Sequence, residues 1–265
     1  LWLQLQSARI AIGNTNHYNV LYCTIQNIMK PTAETYAELQ RAYDTFNTEL
    51  FDGELPECLI TLQRKNKTYG YFHAERFANK QGDKTHEIAL NPTYFAVVPL
   101  VEIMQTLAHE MAHLWQHHHG EPGRGNYHNA EWAEKMESIG LMPSNTGQPG
   151  GKRTGDSMAD YAIEGGRFLQ VCNDLLTGDF KISWYDRFTS PQQIEAGQNC
   201  YGLTLDLPEG GSSVAADEGL ELAPLNSGNK SNRSKYTCEC SINIWGKPGL
   251  NVICGTCRKK FVEQN

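Results

Sequence analysis

Between Leu100 and His118 apolar residues recur at helical spacing, and the helix they imply carries two histidines one turn apart. Leu100, Ile103, Met104, Leu107, Met111, Leu114 and Trp115 form a buried stripe. Within it lies His109-Glu110-Met111-Ala112-His113. Histidines at i and i+4 project from one helix face, and a divalent ion about 2 Å from each ring nitrogen fits between them. Glu110 lies next to His109 around the helix, where a carboxylate can reach a metal-bound water without ligating the metal. Zinc lowers the pKa of such a water towards neutrality, and the carboxylate accepts its proton as it attacks a carbonyl. The pattern points to a zinc hydrolase with Glu110 as the catalytic group. The plain alternative is a pair of surface histidines on a helix.

Catalytic zinc takes three protein ligands and leaves one position open. Three sets compete for the third place. His117, His118 and His119 follow at once, but a ligand one turn further on is displaced by about 5.4 Å along the axis, so they read as a surface polar run. Glu131 and Glu134 offer carboxylates from a following helix. His128 comes fifteen residues after His113, beyond the glycines of 120–125 and at the mouth of the next helix. A loop of that length closes at small entropic cost, so His128 is the expected ligand.

The order of elements suggests an α+β domain. Thr32, after Pro31, is the expected N-cap of a helix in which Tyr36, Leu39, Tyr43, Phe46 and Leu50 recur, stopped by Asp52-Gly53. Leu59–Gln63, Tyr69–His73 and Glu87–Leu90 read as strands, and Asn129 as the cap of a helix over Ala130–Ile139. Residues 144–155 read as a loop and Met158–Leu176 as helical with a break at Gly165-Gly166. Ser183–Phe188 reads as an aromatic stretch that packs back on the domain. Tyr127, Tyr161 and Arg167 are candidates to stabilise an oxyanion, with nothing in the spacing to select one.

These motifs together resemble the SprT-like family, which includes the Spartan DNA–protein crosslink proteases. The family places HExxH on a helix after a small sheet, then a third histidine in a Gly-His-Gly-x-x-Phe stretch. Here Asn126-Tyr127-His128-Asn129-Ala130-Glu131-Trp132 supplies the histidine and the later aromatic, with Tyr127 and Asn129 in place of the flanking glycines. Phe46-Asn47, Leu50-Phe51-Asp52-Gly53, Leu55-Pro56 and Glu87-Ile88-Ala89-Leu90-Asn91 also resemble the family. The likeness covers about residues 30–143 and leaves 144–200 without a counterpart. It implies a zincin-like metalloprotease domain over residues 29–200, with a small antiparallel sheet and an HExxH helix. It also implies a protein substrate, with DNA-bound or DNA-crosslinked proteins in view.

Eight cysteines divide into four scattered ones and a cluster, Cys238, Cys240, Cys254 and Cys257. Two close pairs thirteen residues apart suit a tetrahedral four-thiolate zinc site in a segment too short to hold a core of its own. Residues 232–265 therefore read as a zinc ribbon with a hairpin between its two knuckles, which gives two zinc ions per chain, one catalytic and one structural. The alternative is two disulfides. Residues 201–231 are small, acidic and poor in aromatics, as a flexible linker is. Residues 1–28 lack the pattern of a secretory signal and read as an extension outside the domain, the alternative being a genuine N-terminal strand or helix. The expected location is cytoplasmic, and nucleoid-associated if DNA is bound.

The net charge of −7 is unevenly spread. Residues 229–265 hold seven basic and two acidic side chains, a balance of +5, which leaves −12 for the rest. The body is thus excluded as a generic polyanion binder, whereas the ribbon, with Trp245, could contact phosphates and stack bases. Three functions remain in play. They are a metalloprotease, a hydrolase of a non-peptide substrate, and a non-catalytic zinc-containing module that binds DNA or protein. Glu110 favours an enzyme, since a structural site has no need of a carboxylate beside its metal.

Overall fold

The computed structural model describes residues 30–176, 180–190, 193 and 233–264. The N-terminal extension and the acidic linker, with Cys23 and Cys200, lie outside the described residues. Helix α1 spans Pro31–Leu50 and buries Leu39, Tyr43, Phe46 and Leu50. Thr32 lies inside it rather than capping it. Pro31 occupies the first helical turn, and Lys30 precedes it with no side-chain cap. Proline suits that place because its missing N–H is one the helix could not satisfy internally. The helix ends where Asp52 and Gly53 take φ of 57° and 74°.

Strands β1 (Leu59–Leu62), β2 (Gly70–Ala78) and β3 (Lys84–Leu90) form a sheet in the order β1-β3-β2. β2 runs antiparallel to β3, but β1 runs parallel to it. The sheet is therefore mixed, and the antiparallel sheet expected from the sequence is corrected. The cause is the strand order: β3 inserts between its two predecessors instead of extending a meander. A central strand is covered on both faces and needs no polar alternation, and His86–Leu90 of β3 are all buried. β2 is an edge strand, and its register shifts between His73 and Phe77.

Helix α2 (Leu100–His119) lies against this sheet and buries Ile103, Met104, Leu107, Ala108, Met111 and Leu114. Helix α3 (Ala130–Ile139) starts at Asn129, whose side chain accepts the Trp132 N–H, and ends at Gly140 in the left-handed region. The chain then forms a second small sheet, β4 (Leu141–Ser144) antiparallel to β5 (Ala159–Ala162). Helix α4 begins only at Arg167 and runs to Leu176, so the helical reading of residues 158–166 is corrected. Asp160 and Ala162 face inward while Ala159 is exposed and Tyr161 half-exposed. That period of two is a strand pattern, hidden in the sequence because the partner β4 is fifteen residues upstream. The segment after α4 packs back on α1, with the Ser183 N–H on Glu38 and the Trp184 Nε1–H on Glu34.

The C-terminal unit is a three-stranded antiparallel sheet, β6 (Ser234–Thr237), β7 (Asn243–Gly246) and β8 (Val262–Gln264), with β6 in the centre. Its hairpin does not lie between the two cysteine pairs. It turns on the first pair itself, because β6 and β7 flank Cys238 and Cys240. No helix among the described residues is long and apolar enough to cross a membrane.

Gly140 joins α3 to β4 at φ 95°, and a Cβ there would lie 2.7 Å from the Phe168 backbone nitrogen. Gly140→Ala is expected to destabilise the protein by about 1–3 kcal/mol, read as a lowered urea midpoint with an unchanged slope.

Candidate metal centre

Helix periodicity alone puts His109 and His113 on one face of α2; the third group arrives from the loop before α3. The ligand nitrogens of His109, His113 and His128 all lie within 4.8 Å of one another. His113 Nε2 and His128 Nε2 are 3.1 Å apart. Two ligands on a tetrahedral ion with bonds of about 2.0–2.1 Å stand about 3.3 Å apart, so the spacing is that of a coordination edge. The outer nitrogens of His109 and His128 are occupied in the manner of metal ligands. The His109 Nδ1–H donates to Asp160 Oδ2 at 2.7 Å, and the His128 Nδ1–H to the Gly155 carbonyl at 3.1 Å. Each bond fixes a tautomer that turns Nε2 toward the centre. The donor set and its spacing fit a zinc ion.

Trp132 closes the centre from behind. It is fully buried, stacks on His113 at 5.3 Å and meets His109 and His128 edge-on at 4.9 and 4.4 Å. Burial pushes His113 well below the usual histidine range and His128 to about 4, with His109 adding to both shifts. Burial also acts to lower His109, but the Asp160 hydrogen bond, then Glu110 and the Asp160 charge, outweigh it and leave that ring raised.

Glu110 is buried beside these rings and faces Gly70 of β2. A Cβ on Gly70 would approach Thr106 Cγ2 to 2.8 Å and the Ala89 carbonyl to 2.9 Å, and would crowd Glu110 Oε1 at 3.3 Å, so the close packing of β2 on α2 beside the carboxylate favours glycine. Burial raises the Glu110 carboxyl to about 7, while His109 pulls it down. The three imidazoles and Glu110 line a cleft of about 1040 Å³ bounded by residues 67–74 on one side and 156–161 on the other.

The rival third ligands are elsewhere. Glu131 accepts from Gln116 Nε2 and from the Glu121 N–H, both at 2.7 Å, and so ties down the loop before His128. Glu134 is exposed on the far side of α3. Of the candidate oxyanion groups, Tyr127 and Tyr161 line the cleft, whereas Arg167 pairs with Asp52 at 3.3 Å. Sequence reasoning missed Asp160 and Gly155 altogether. The available signal was an acidic residue at an inward position of a short alternating run.

In the C-terminal unit, Cys238, Cys240, Cys254 and Cys257 bring their sulfurs within 4.8 Å of one another and form no disulfide. Ser241 and Arg258, each directly after the second cysteine of a pair, take φ of 64° and 57°. Both pairs thus sit in similar tight turns. The Cys257 and Thr256 N–H groups pull the Cys254 thiol down, which favours the thiolate a metal requires.

Asp160→Asn removes the charge behind His109 while keeping the shape. It is expected to weaken zinc binding at the three-histidine centre by about 10–100-fold, measured by competition with a chelator. An unchanged affinity would show that Asp160 does not orient the ligand.

The geometry agrees with what comparison with known proteins finds. The family model described as the SprT-like family matches residues 39–149. A stretch of 55 residues is 60% identical to a protein of Salmonella typhimurium described as an uncharacterized protein in the mucB 3' region, over 21% of this chain and 74% of that protein. No solved structure matches. The histidine helix, the third histidine beyond its loop and these matches lead to one conclusion: the chain belongs to the SprT-like family.

Proposed function

We propose that the chain is a zinc metallopeptidase whose catalytic metal is held by His109, His113 and His128. The observation that carries this reading is Glu110, a buried carboxylate placed beside three converging imidazoles at the floor of a cleft. When bound there, zinc supplies Lewis acidity, polarising a carbonyl and acidifying water. Glu110 then takes a proton from the attacking water and passes it to the departing amine. Both acts need a carboxylate within reach of the water, and Glu110 is buried beside the three imidazoles on the cleft wall. Tyr127 and Tyr161, which line the cleft, are the candidates we propose to donate to the developing oxyanion.

The cleft suits an extended polypeptide. β2 is an edge strand along the cleft, to which a substrate chain can add as a further strand. The backbone of Phe72 acts to lower the Glu110 carboxyl, which links that edge to the catalytic group. A non-catalytic module that binds protein could use the cleft, but it would have no need of a carboxylate beside the three imidazoles.

The substrates we propose are proteins on DNA, with a second, structural zinc in the four-cysteine ribbon. Support comes from charge: the C-terminal segment carries +5 against −12 for the rest. On the ribbon sheet Trp245 pairs in register with Lys235 and is 63% exposed, an aromatic and a cation side by side.

Glu110→Gln is expected to lower peptide cleavage by at least about 10²-fold while zinc content stays unchanged. A wild-type chain that cleaves no polypeptide when zinc-loaded would favour the non-catalytic module. Changing Lys235, Lys247, Arg258, Lys259 and Lys260 to Ala is expected to abolish stimulation by DNA and to flatten its salt dependence, with basal cleavage intact. Equal stimulation of both proteins, compared across a salt series, would remove the ribbon from DNA binding.

A further inference from the structure

His117 and His118, which the sequence presents as part of a surface polar run, do not stand alone. The fold brings them to His86, on the central strand β3. The ligand nitrogens of His86, His117 and His118 all lie within 4.8 Å of one another. His118 Nε2 is 3.0 Å from His86 Nε2, and the ring centroids are 4.8–5.2 Å apart. The corresponding figures at the HExxH centre are 3.1 Å and 4.7–5.6 Å. Two trios with no shared residue thus have nearly the same internal spacing.

We propose that His86, His117 and His118 form a second histidine site for a transition metal, distinct from the HExxH centre and from the cysteine ribbon. Three imidazoles suit zinc, copper or nickel rather than magnesium or calcium. His86 provides the rigid part: it is buried, belongs to the central strand and packs against Phe72 at 5.8 Å. His117 and His118 are exposed at the end of α2, so an ion held there keeps positions open to water. Ordering two exposed side chains costs entropy, so this site is weaker than the HExxH centre and exchanges its ion more readily.

One hydrogen bond has to change. The Glu75 N–H donates to His86 Nδ1 at 3.1 Å, which leaves the ring proton on Nε2, facing His118. Ligation through His86 Nε2 requires the tautomer with the proton on Nδ1, so the proton moves from Nε2 to Nδ1 and the Glu75 N–H, which can no longer donate there, turns to solvent. Glu75 is a place where this costs little. It lies in the register shift of β2, with φ 48°, outside the regular pairing with β3.

His117 also lines the catalytic cleft, one helical turn beyond His113, so an ion on the second trio stands at the cleft rim. The proposal does not depend on peptide cleavage, because it is tested by counting metal. The untagged full chain would be dialysed against a series of free zinc concentrations and its bound zinc measured by elemental analysis. The wild type is expected to gain one further ion at the high end of the series. His86→Asn and His118→Asn are expected to lose that ion and retain the tighter-bound zinc. His119→Asn, outside the trio, is expected to match the wild type. Because His118 is exposed, its variant tests the site even if His86→Asn fails to fold. An identical zinc count in the wild type and His118→Asn throughout the series would overturn the proposal, as would loss of the same ion from His119→Asn.

Discussion

The geometry of the centre depends on one packing contact, the burial of Trp132 beneath three imidazoles. A buried tryptophan removes about 150–250 Å² from water, and here that apolar surface is used to position polar groups. The contact docks α3 on α2 and restricts the rotamers of His109, His113 and His128 together. Asn129 caps the helix that carries Trp132, so the phase between His128 and the indole is set within a single turn. The hydrogen bonds of Asp160 and Gly155 then select tautomers for rings that Trp132 has already oriented.

What could be read from the sequence was what lies close together along it. The limits of α3 came out at Ala130–Ile139, because an asparagine cap, an apolar period and a glycine stop all lie within twelve residues. His109 and His113 needed only the helical repeat, and His128 needed one loop. The parallel pairing of β1 with β3 was not legible, because strand order is set by the sheet and not by the alternation within any one strand. β5 was misread for a related reason. Its four residues have no strong strand preference, and their partner is found only when the loop after β4 folds back. The second histidine trio shows the same limit. His117 and His118 are adjacent in sequence to the motif, but His86, which gives them a shared centre, is on another element thirty-two residues before His118.

α2 is therefore a spine for two separate sets of imidazoles. Its inner face meets Trp132 and the loop before α3, and its C-terminal end meets β3. Two metals on one helix would couple through a rigid element, since the turn from His113 to His117 is continuous and hydrogen-bonded. The C-terminal unit uses different means. Apart from Tyr236 it buries little apolar surface, and Trp245, Ile253 and Val262 are exposed. Its four thiols stand where a larger domain would place a core.

The bond from His109 to Asp160 spans fifty-one residues. Closing it requires α2, α3, β4 and the returning β5 to be in place, so it reports on the path of the chain from the histidine helix to the second sheet. Contacts of such separation are entropically late in folding. During synthesis the three histidines emerge well before the carboxylate that orients the first of them. Tight capture of a metal ion at the three histidines would thereby be deferred until the domain has been made almost in full, which would tie the completion of the centre to the end of its own assembly.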